Sequence, residues 1–264
     1  IRSTQLTSLD VSSNTALEYL YCNDNQLTSL DVSANTALTE LWCYSNQITS
    51  LDVLNNTALT VLQFNSNLLT SVNVSNLTAL TTLWCGDNPL TSVNVSNNTA
   101  LQELRCHSNQ LTTLDVSANT ALNVLSCDYN QLTSLDVSAN TLTELDCSNN
   151  QLIYLNMKNG VTDAYTYFSA QTNDLTCIET LDPDYATANW TYANGNIDDG
   201  VSFADICYAS NPSYTNVPDD NFEQALINLG YDDTLDDYVL TANISGVTYL
   251  NVAGNEISDL TGIE

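Results

Sequence analysis

Basic residues are nearly absent from this sequence of 264 residues, which contains 3 lysines and arginines against 31 aspartates and glutamates. The formal net charge at pH 7 is −28. A chain with this charge repels the phosphates of nucleic acids and the anionic headgroups of membranes. We therefore expect no nucleic acid among its partners, and the acidity favours a saline or divalent-rich exterior in which ions screen self-repulsion.

Long hydrophobic runs are also missing. No stretch of eighteen apolar residues occurs, which argues against direct membrane insertion. The first residues, from Ile1 to Gln5, show no basic segment followed by an apolar one. We expect the protein to be extracellular or on the outer cell surface, with its signal and anchoring regions outside this chain.

Sequence motifs of catalysis are absent as well. No phosphate-binding loop, dinucleotide fingerprint, serine nucleophile elbow or metal-spaced histidine pair occurs. An enzyme needs a nucleophile with a base, or paired carboxylates in a pocket, and the single histidine, His107, has no such setting in the sequence. The sequence predicts a protein without catalytic residues and without a cofactor.

One position recurs along the chain with a spacing of 21 residues five times and then of 20. It is occupied by Cys22, Cys43, Phe64, Cys85, Cys106, Cys127 and Cys147. Each half of the unit repeats the pattern L-x-x-L-x-(C/V)-x-x-N, whose alternation predicts a short strand in both halves. A single unit cannot bury its own inward residues, so the coils must stack into a solenoid.

This pattern resembles the leucine-rich repeat, in the 21-residue nested class found in secreted surface proteins of Bacteroidetes. The resemblance covers about Gln5 to Asn156. It implies a leucine-rich-repeat solenoid of mainly short parallel β-strands, two per 21-residue coil, with little helix. It also implies that the half containing the cysteine forms the parallel sheet of the concave face.

An asparagine ends the first half of each coil. These residues are Asn25, Asn46, Asn67, Asn88, Asn109, Asn130 and Asn150. An inward amide both donates and accepts hydrogen bonds, so it can pair backbone groups that the bend would otherwise bury without partners. We interpret this ladder as structural.

The eight cysteines fall into two groups. The six in the repeat take an inward position that Phe64 fills in the third coil, so we interpret them as small buried core residues. A zinc site is not expected, because strand alternation points His107 away from Cys106. Cys177 and Cys207 lie off the repeat in a turn-rich segment, and we predict that they form a disulfide.

Four regions are predicted from these features. Residues 1–156 form the repeat array, residues 157–210 resemble a flavobacterial C-terminal cap, and residues 211–217 are a linker. Residues 218–264 resemble the cap helix and first repeat of a second array, because an amphipathic helical pattern from Pro218 to Gly230 precedes a new repeat. Both ends fall within repeats, so we expect the chain to be a fragment of a longer protein, or otherwise to associate head to tail.

The second-half strand has a uniform outward row of acids and amides. Its carboxylates, Asp10, Asp31, Asp52, Asp115 and Asp136, are weak candidates for binding divalent cations such as calcium. The simpler interpretation is a solvated polar face. Asn replaces Asp at two adjacent coils, which relieves repulsion between carboxylates about 5 Å apart.

The first-half strand carries varied residues at its outward positions. Varied chemistry on a fixed frame, with exposed aromatic residues, is typical of recognition surfaces. The candidate ligand-binding residues are Tyr19, Tyr21, Trp42, Tyr44, Trp84, Arg105 and His107. A weaker contact patch is indicated by two departures from the repeat, Leu54 and Leu68. The alternative is that the aromatic residues only pack across neighbouring coils.

Two functions fit this sequence. The first is a recognition module at the cell surface that binds a protein or a glycan through the varied strand, since the spacing of Trp42 and Trp84 suits either. The second is a structural spacer or fibre-forming segment of a large adhesin or extracellular filament.

Overall fold

The computed structural model describes residues 5–160 and 162–263. The contacts within the chain divide it into two compact units, Ile1–Asp205 and Ile206–Glu264. The first unit is a parallel β-solenoid of about nine turns with little helix, which confirms the fold class predicted from the sequence. Each coil returns the chain one strand further along the same sheet.

The described residues of the first unit form twelve strands of three residues each. In chain order they are β1 (Tyr19–Tyr21), β2 (Glu40–Trp42), β3 (Val61–Gln63), β4 (Thr82–Trp84), β5 (Glu103–Arg105), β6 (Val124–Ser126), β7 (Ser134–Asp136), β8 (Glu144–Asp146), β9 (Tyr154–Asn156), β10 (Tyr167–Ser169), β11 (Cys177–Glu179) and β12 (Ser202–Ala204). An eight-stranded sheet has the order β1-β2-β3-β4-β5-β6-β8-β10, and a four-stranded sheet has the order β12-β11-β9-β7.

The strands are short because the chain bends two residues after each position of the cysteine repeat. At these bends the backbone has φ between 51° and 57°. The bend residues are Asp24, Ser45, Ser66, Asp87, Ser108, Tyr129, Asn149 and Thr172. This left-handed conformation ends the strand, and short polar side chains tolerate it better than bulky ones do.

The strands of the second half-repeat differ from the expectation. The sequence predicts a strand in both halves of every coil, but within the described residues the second half forms strands only from β7 onward. Earlier second halves have the same residue pattern. β7 lies in the coil whose period is 20 residues, so regular strand pairing on this side begins where the repeat shortens.

The core of the solenoid is built from the inward positions of the repeat. Leu20, Leu41, Leu62 and their equivalents are buried, and the six repeat cysteines and Phe64 are fully buried. Burial raises the pKa of the Cys22 thiol to about 11 and that of Cys85 to about 12. The cysteines are therefore neutral core residues at physiological pH, as the sequence predicted.

The asparagine ladder is also confirmed. Asn109 is representative, because its Nδ2 donates to the carbonyls of Cys106, His107 and Cys85, and its Oδ1 accepts from the backbone N–H of Leu90. Asn173 repeats this pattern in the coil of β10. The solenoid therefore continues beyond Asn156, into the segment predicted as a cap.

The last coils enclose an aromatic cluster. Helix α1 (Pro183–Asn189) begins after Asp182, whose side chain accepts from the Tyr185 N–H, and it is followed by Trp190, whose N–H donates to the Ala186 carbonyl. The Trp190 ring lies 4.7 Å from that of Phe168 and 5.8 Å from that of Phe203, measured between centroids. A 3-10 helix spans Thr162–Ala164. Cys177 and Cys207 are disulfide-bonded, as predicted.

As far as residue 263, the second unit contains two strands and two helices. Helix α2 (Asp220–Asn228) follows the predicted amphipathic pattern, with Asp219 capping its first turn. Strand β13 (Tyr214–Asn216) pairs antiparallel with β14 (Tyr238–Leu240), and helix α3 spans Thr241–Ile244. β13 lies within residues 211–217, which were predicted as a linker. The polar residues around Tyr214 made this short strand unrecognisable in the sequence.

Candidate functional site

The eight-stranded sheet places one outward residue of each coil in a single row. Backbone pairing aligns Tyr21 with Trp42, Trp42 with Gln63, and so on across the sheet. The full row is Tyr21, Trp42, Gln63, Trp84, Arg105, Ser126, Asp146 and Ser169. We call the outward side of this sheet the strand face. Neighbouring rungs are about 4.8 Å apart.

Aromatic residues occupy the first two strands of the strand face. The rings of Tyr21 and Trp42 lie 4.4 Å apart between centroids and are tilted by 40°. The Tyr21 hydroxyl donates to Glu40 Oε2 over 2.7 Å, which fixes the tyrosine on its neighbour strand. Tyr19 is exposed and Tyr44 is half-buried. We call these four tyrosines and tryptophans, Tyr19, Tyr21, Trp42 and Tyr44, the aromatic patch.

Trp84 is covered by a cation. The Arg105 guanidinium lies 5.2 Å from the centroid of the Trp84 ring, and its Nε also pairs with Glu103 Oε1. A guanidinium over an indole is attracted by the ring's negative face. The two predicted residues Trp84 and Arg105 therefore form one unit on adjacent strands, separated from the aromatic patch by the buried Gln63.

His107 packs against a glycine of the preceding coil. A Cβ built on Gly86 would lie 2.6 Å from His107 Nε2, so the imidazole fills the space that a side chain there would take. His107 Nδ1 lies 3.4 Å from Ser108 Oγ and 4.0 Å from Asp87 Oδ1. The imidazole is thus held flat on the sheet beside Trp84 and Arg105.

Changing Gly86 to alanine tests this packing. Gly86 does not have a positive φ, so the substitution acts only through the clash with His107. We expect the imidazole to move, with a destabilisation of about 1 to 3 kcal/mol typical of overpacking. The measurement is the His107 imidazole NMR shift together with urea unfolding. If neither the NMR shift nor the free energy of unfolding changes, the packing of His107 on Gly86 is wrong. The matched control is Gly86→Ala in a His107→Ala background, where no imidazole is present to clash.

Three carboxylates occur near one end of the strand face, two of them on β8 and the third two residues after β6. They are Asp128, Glu144 and Asp146, and sequence reasoning did not select them. Ser126 Oγ donates to Asp128 Oδ1 over 2.7 Å, and the Tyr167 hydroxyl donates to Asp146 Oδ2 over 3.1 Å. Burial raises the pKa of Asp128, and the Asp146 charge raises it further. We call these three residues the acidic patch. The sequence could have indicated this group, because acidic residues occupy outward positions of two adjacent coils.

The acids of the second half-repeat have local structural roles. In each of them Oδ1 accepts from the N–H two residues onward, as Asp31 does from Ser33 at 2.9 Å. The same bond is made by Asp10, Asp52, Asp115 and Asp136. Hydrogen bonds from Ser33 hold the pKa of Asp31 below its usual value. Among residues 5–160 and 162–263, no group of three or more acids, cysteines or histidines is arranged to hold a metal.

The two leucines of the weaker patch do not lie together along the coil. Leu68 is exposed and begins the second half of its coil, whereas Leu54 is half-buried and ends the second half of the preceding coil. Their role as contact residues remains a prediction.

Comparison with known proteins agrees with this fold. A family model described as leucine-rich repeats in two copies matches residues 15–56. No curated protein matches the chain. Within the part of the chain that the structure describes, no helix is long and apolar enough to cross a membrane.

Several solved structures are similar. The functional domain of InlJ from Listeria monocytogenes, which includes a cysteine ladder, is 37% identical with a TM-score of 0.63, and the match covers 68% of this chain and 42% of that one. Internalin C2 of the same organism is 22% identical with a TM-score of 0.57, over 73% of this chain and 84% of that one.

A leucine-rich-repeat protein of Leptospira interrogans is 24% identical with a TM-score of 0.54, over 67% of this chain and 59% of that one. This chain thus spans less than half of the InlJ structure that it matches. The two structures under 25% identical show the fold alone. Together with the repeat and the parallel sheet, these matches show that the chain has the leucine-rich-repeat fold, with residues 15–56 matching the leucine-rich-repeat model itself.

Proposed function

We propose that this chain is a non-catalytic recognition module, outside the cell or on its surface, that binds a protein partner through the strand face. The observation that carries the proposal is the contrast between the two sides of the coil. The second half repeats the same hydrogen-bonded Asp or Asn turn, whereas the strand face changes from aromatic to basic to acidic residues. Solenoids present such extended surfaces to partners.

A protein suits the aromatic residues better than a glycan does. Sugar rings stack on open, flat indole faces, but Tyr21 covers one face of Trp42 and Arg105 covers one face of Trp84. The rings therefore present tilted, partly buried surfaces of the kind found at protein hot spots.

An oxidising compartment fits the chemistry of the chain. The disulfide between Cys177 and Cys207 favours secretion or surface exposure, because cytosolic reductants keep most thiols reduced. The six buried cysteines are protected by burial rather than by pairing. The resemblance to secreted proteins of the 21-residue class supports the same location.

The experiment is a binding screen of the chain against surface proteins and glycans at low and high calcium, followed by substitution of the strand face. We expect the double variant Trp42→Ala and Trp84→Ala to bind its protein partner at least about a hundredfold more weakly, since two buried aromatic anchors are lost. Circular dichroism should remain that of the unchanged chain, with a melting temperature lowered by only a few degrees.

Tyr129→Ala is the matched control, because Tyr129 is an exposed aromatic residue at a bend outside the strand face. It should bind like the unchanged chain. If the double tryptophan variant binds as tightly as the unchanged chain, the strand face is not the binding surface. If only glycans bind, the ligand is a glycan and not a protein. If solution scattering shows end-to-end assemblies without any partner, the result favours the alternative function, a structural spacer.

A further inference from the structure

Every basic side chain that the structure describes is already engaged. Arg105 lies on Trp84 and pairs with Glu103. Lys158 Nζ pairs with Glu179 Oε2 at 3.3 Å and donates to the Asp205 carbonyl at 2.8 Å. The third basic residue, Arg2, lies outside the described residues. The charges of this chain therefore leave no described lysine or arginine for the acidic patch.

The acidic patch is held in place by hydroxyl groups. Ser126 donates to Asp128, and Ser148 Oγ donates to Asp146 Oδ1 over 2.7 Å. Tyr167 adds a third hydroxyl, on Asp146 Oδ2. Hydroxyls orient the carboxylates but carry no charge to balance them. Burial is the largest influence on the pKa of Asp128 and raises it, whereas the charge of His107, in the preceding coil, lowers it.

Asp128 is half-buried already, so covering it further is costly unless a cation is supplied. A planar guanidinium suits two neighbouring carboxylates because it donates to both at once, and it also stacks on a tyrosine ring such as Tyr167. Since both described basic side chains are engaged elsewhere, we expect a partner to supply this cation.

The aromatic and acidic patches lie at a defined separation. Trp42 on β2 and Asp146 on β8 are five strands apart in the sheet order. At about 4.8 Å per strand this is about 24 Å, which an extended polypeptide spans with roughly seven residues.

We propose that the strand face binds an extended, basic polypeptide segment of a partner protein, with an aromatic or aliphatic side chain on the aromatic patch and an arginine on the acidic patch. The segment crosses the strands and places these two anchors about seven residues apart. This inference rests on the proposed function and adds the chemistry of the partner and the spacing of its anchors.

Two peptides of identical composition test the inference. Both have about twelve residues of a Gly/Ser/Thr background with one Trp and one Arg. In the first peptide these are separated by about seven residues, and in the second they are adjacent. At roughly 0.15 M salt we expect the first peptide to bind the full chain about tenfold more tightly, by fluorescence anisotropy.

Two double variants with equal net charge test whether the acidic patch causes the preference for the spaced peptide. In Asp128→Asn with Asp146→Asn we expect the preference for the spaced peptide to disappear. In Asp31→Asn with Asp52→Asn, which changes the net charge equally on the other side of the coil, we expect it to remain. Equal binding of both peptides to the unchanged chain, or an equal loss in both double variants, overturns the inference.

Two further arms separate this inference from the proposed function. If Trp42→Ala abolishes binding of the partner found in the screen but the acidic-patch variant does not, the strand face binds and the basic segment is wrong. If neither variant weakens binding of this partner, both the proposed function and this inference are wrong. If calcium chloride alone binds and requires Asp128 and Asp146, the acidic patch is a cation site and the arginine anchor is overturned.

Discussion

Replacing Asn67 by alanine is expected to lower the free energy of unfolding by about 3 to 5 kcal/mol, because several buried backbone groups lose their partners together. Asn67 Nδ2 donates to the carbonyls of Cys43 at 3.0 Å, Phe64 at 2.9 Å and Asn65 at 3.4 Å. Its Oδ1 accepts from the Ile48 N–H at 2.9 Å. Urea denaturation measures the loss.

A matched control lies elsewhere in the same solenoid. Asn97 is exposed and makes one bond to the Ser75 carbonyl at 3.2 Å, so Asn97→Ala should cost less than about 0.5 kcal/mol. Asn67→Asp should be nearly as damaging as Asn67→Ala, since a carboxylate cannot donate to the three carbonyls. Equal stability of the two alanine variants would mean that the ladder does not hold the coils together.

Replacing Lys158 by methionine is also expected to lower the free energy of unfolding substantially. Glu179 is fully buried, and its Oε2 is contacted by Lys158 Nζ at 3.3 Å and by the Tyr154 hydroxyl at 3.2 Å. Removing the lysine leaves a buried carboxylate without its cation, which typically costs about 3 to 5 kcal/mol. We expect a loss of about 3 kcal/mol by urea denaturation, because Lys158 is partly exposed and water replaces some of its contact.

The double variant Lys158→Met with Glu179→Gln separates the lost charge pair from the lost lysine packing. Removing both charges should restore more than half of the stability, since no uncompensated carboxylate then remains in the core. A double variant as unstable as Lys158→Met would show that the aliphatic part of the lysine, and not its charge, carries the effect.

The fold was predictable because every coil repeats the same physical requirement. Leucine and cysteine positions that no single unit can bury force the coils to stack, and an amide at each bend must pair the backbone groups there. The solenoid, the first asparagine ladder and the buried cysteines followed from these patterns. They are properties of a position in the repeat, so one coil predicts the next.

A second asparagine ladder was not recognised. Asn56 Nδ2 donates to the carbonyls of Val32 at 3.0 Å and Asn35 at 2.9 Å, in the preceding coil. Its equivalents are Asn35, Asn98, Asn119 and Asn140, and the fully buried Leu77 takes the position in one coil. Asparagine is common in turns for local reasons, so the sequence did not separate a bond between coils from a bond within the turn.

The candidate site was only partly predictable for a similar reason. Strand alternation placed the aromatic patch, Trp84, Arg105 and His107 on one face, and the structure has them there. Alternation does not say which side chains touch. The stacking of Arg105 on Trp84 and the packing of His107 on Gly86 depend on rotamers and on contacts between coils.

Covalent footprinting of tyrosine and tryptophan side chains, with and without the partner protein, tests most directly whether the strand face is the binding surface. We expect protection of Tyr19, Tyr21, Trp42 and Tyr44 in the complex. Tyr129, Tyr192 and Tyr249, which are 60%, 62% and 78% exposed, should be modified equally in both states. Protection of those three tyrosines, with an unchanged strand face, would contradict the account.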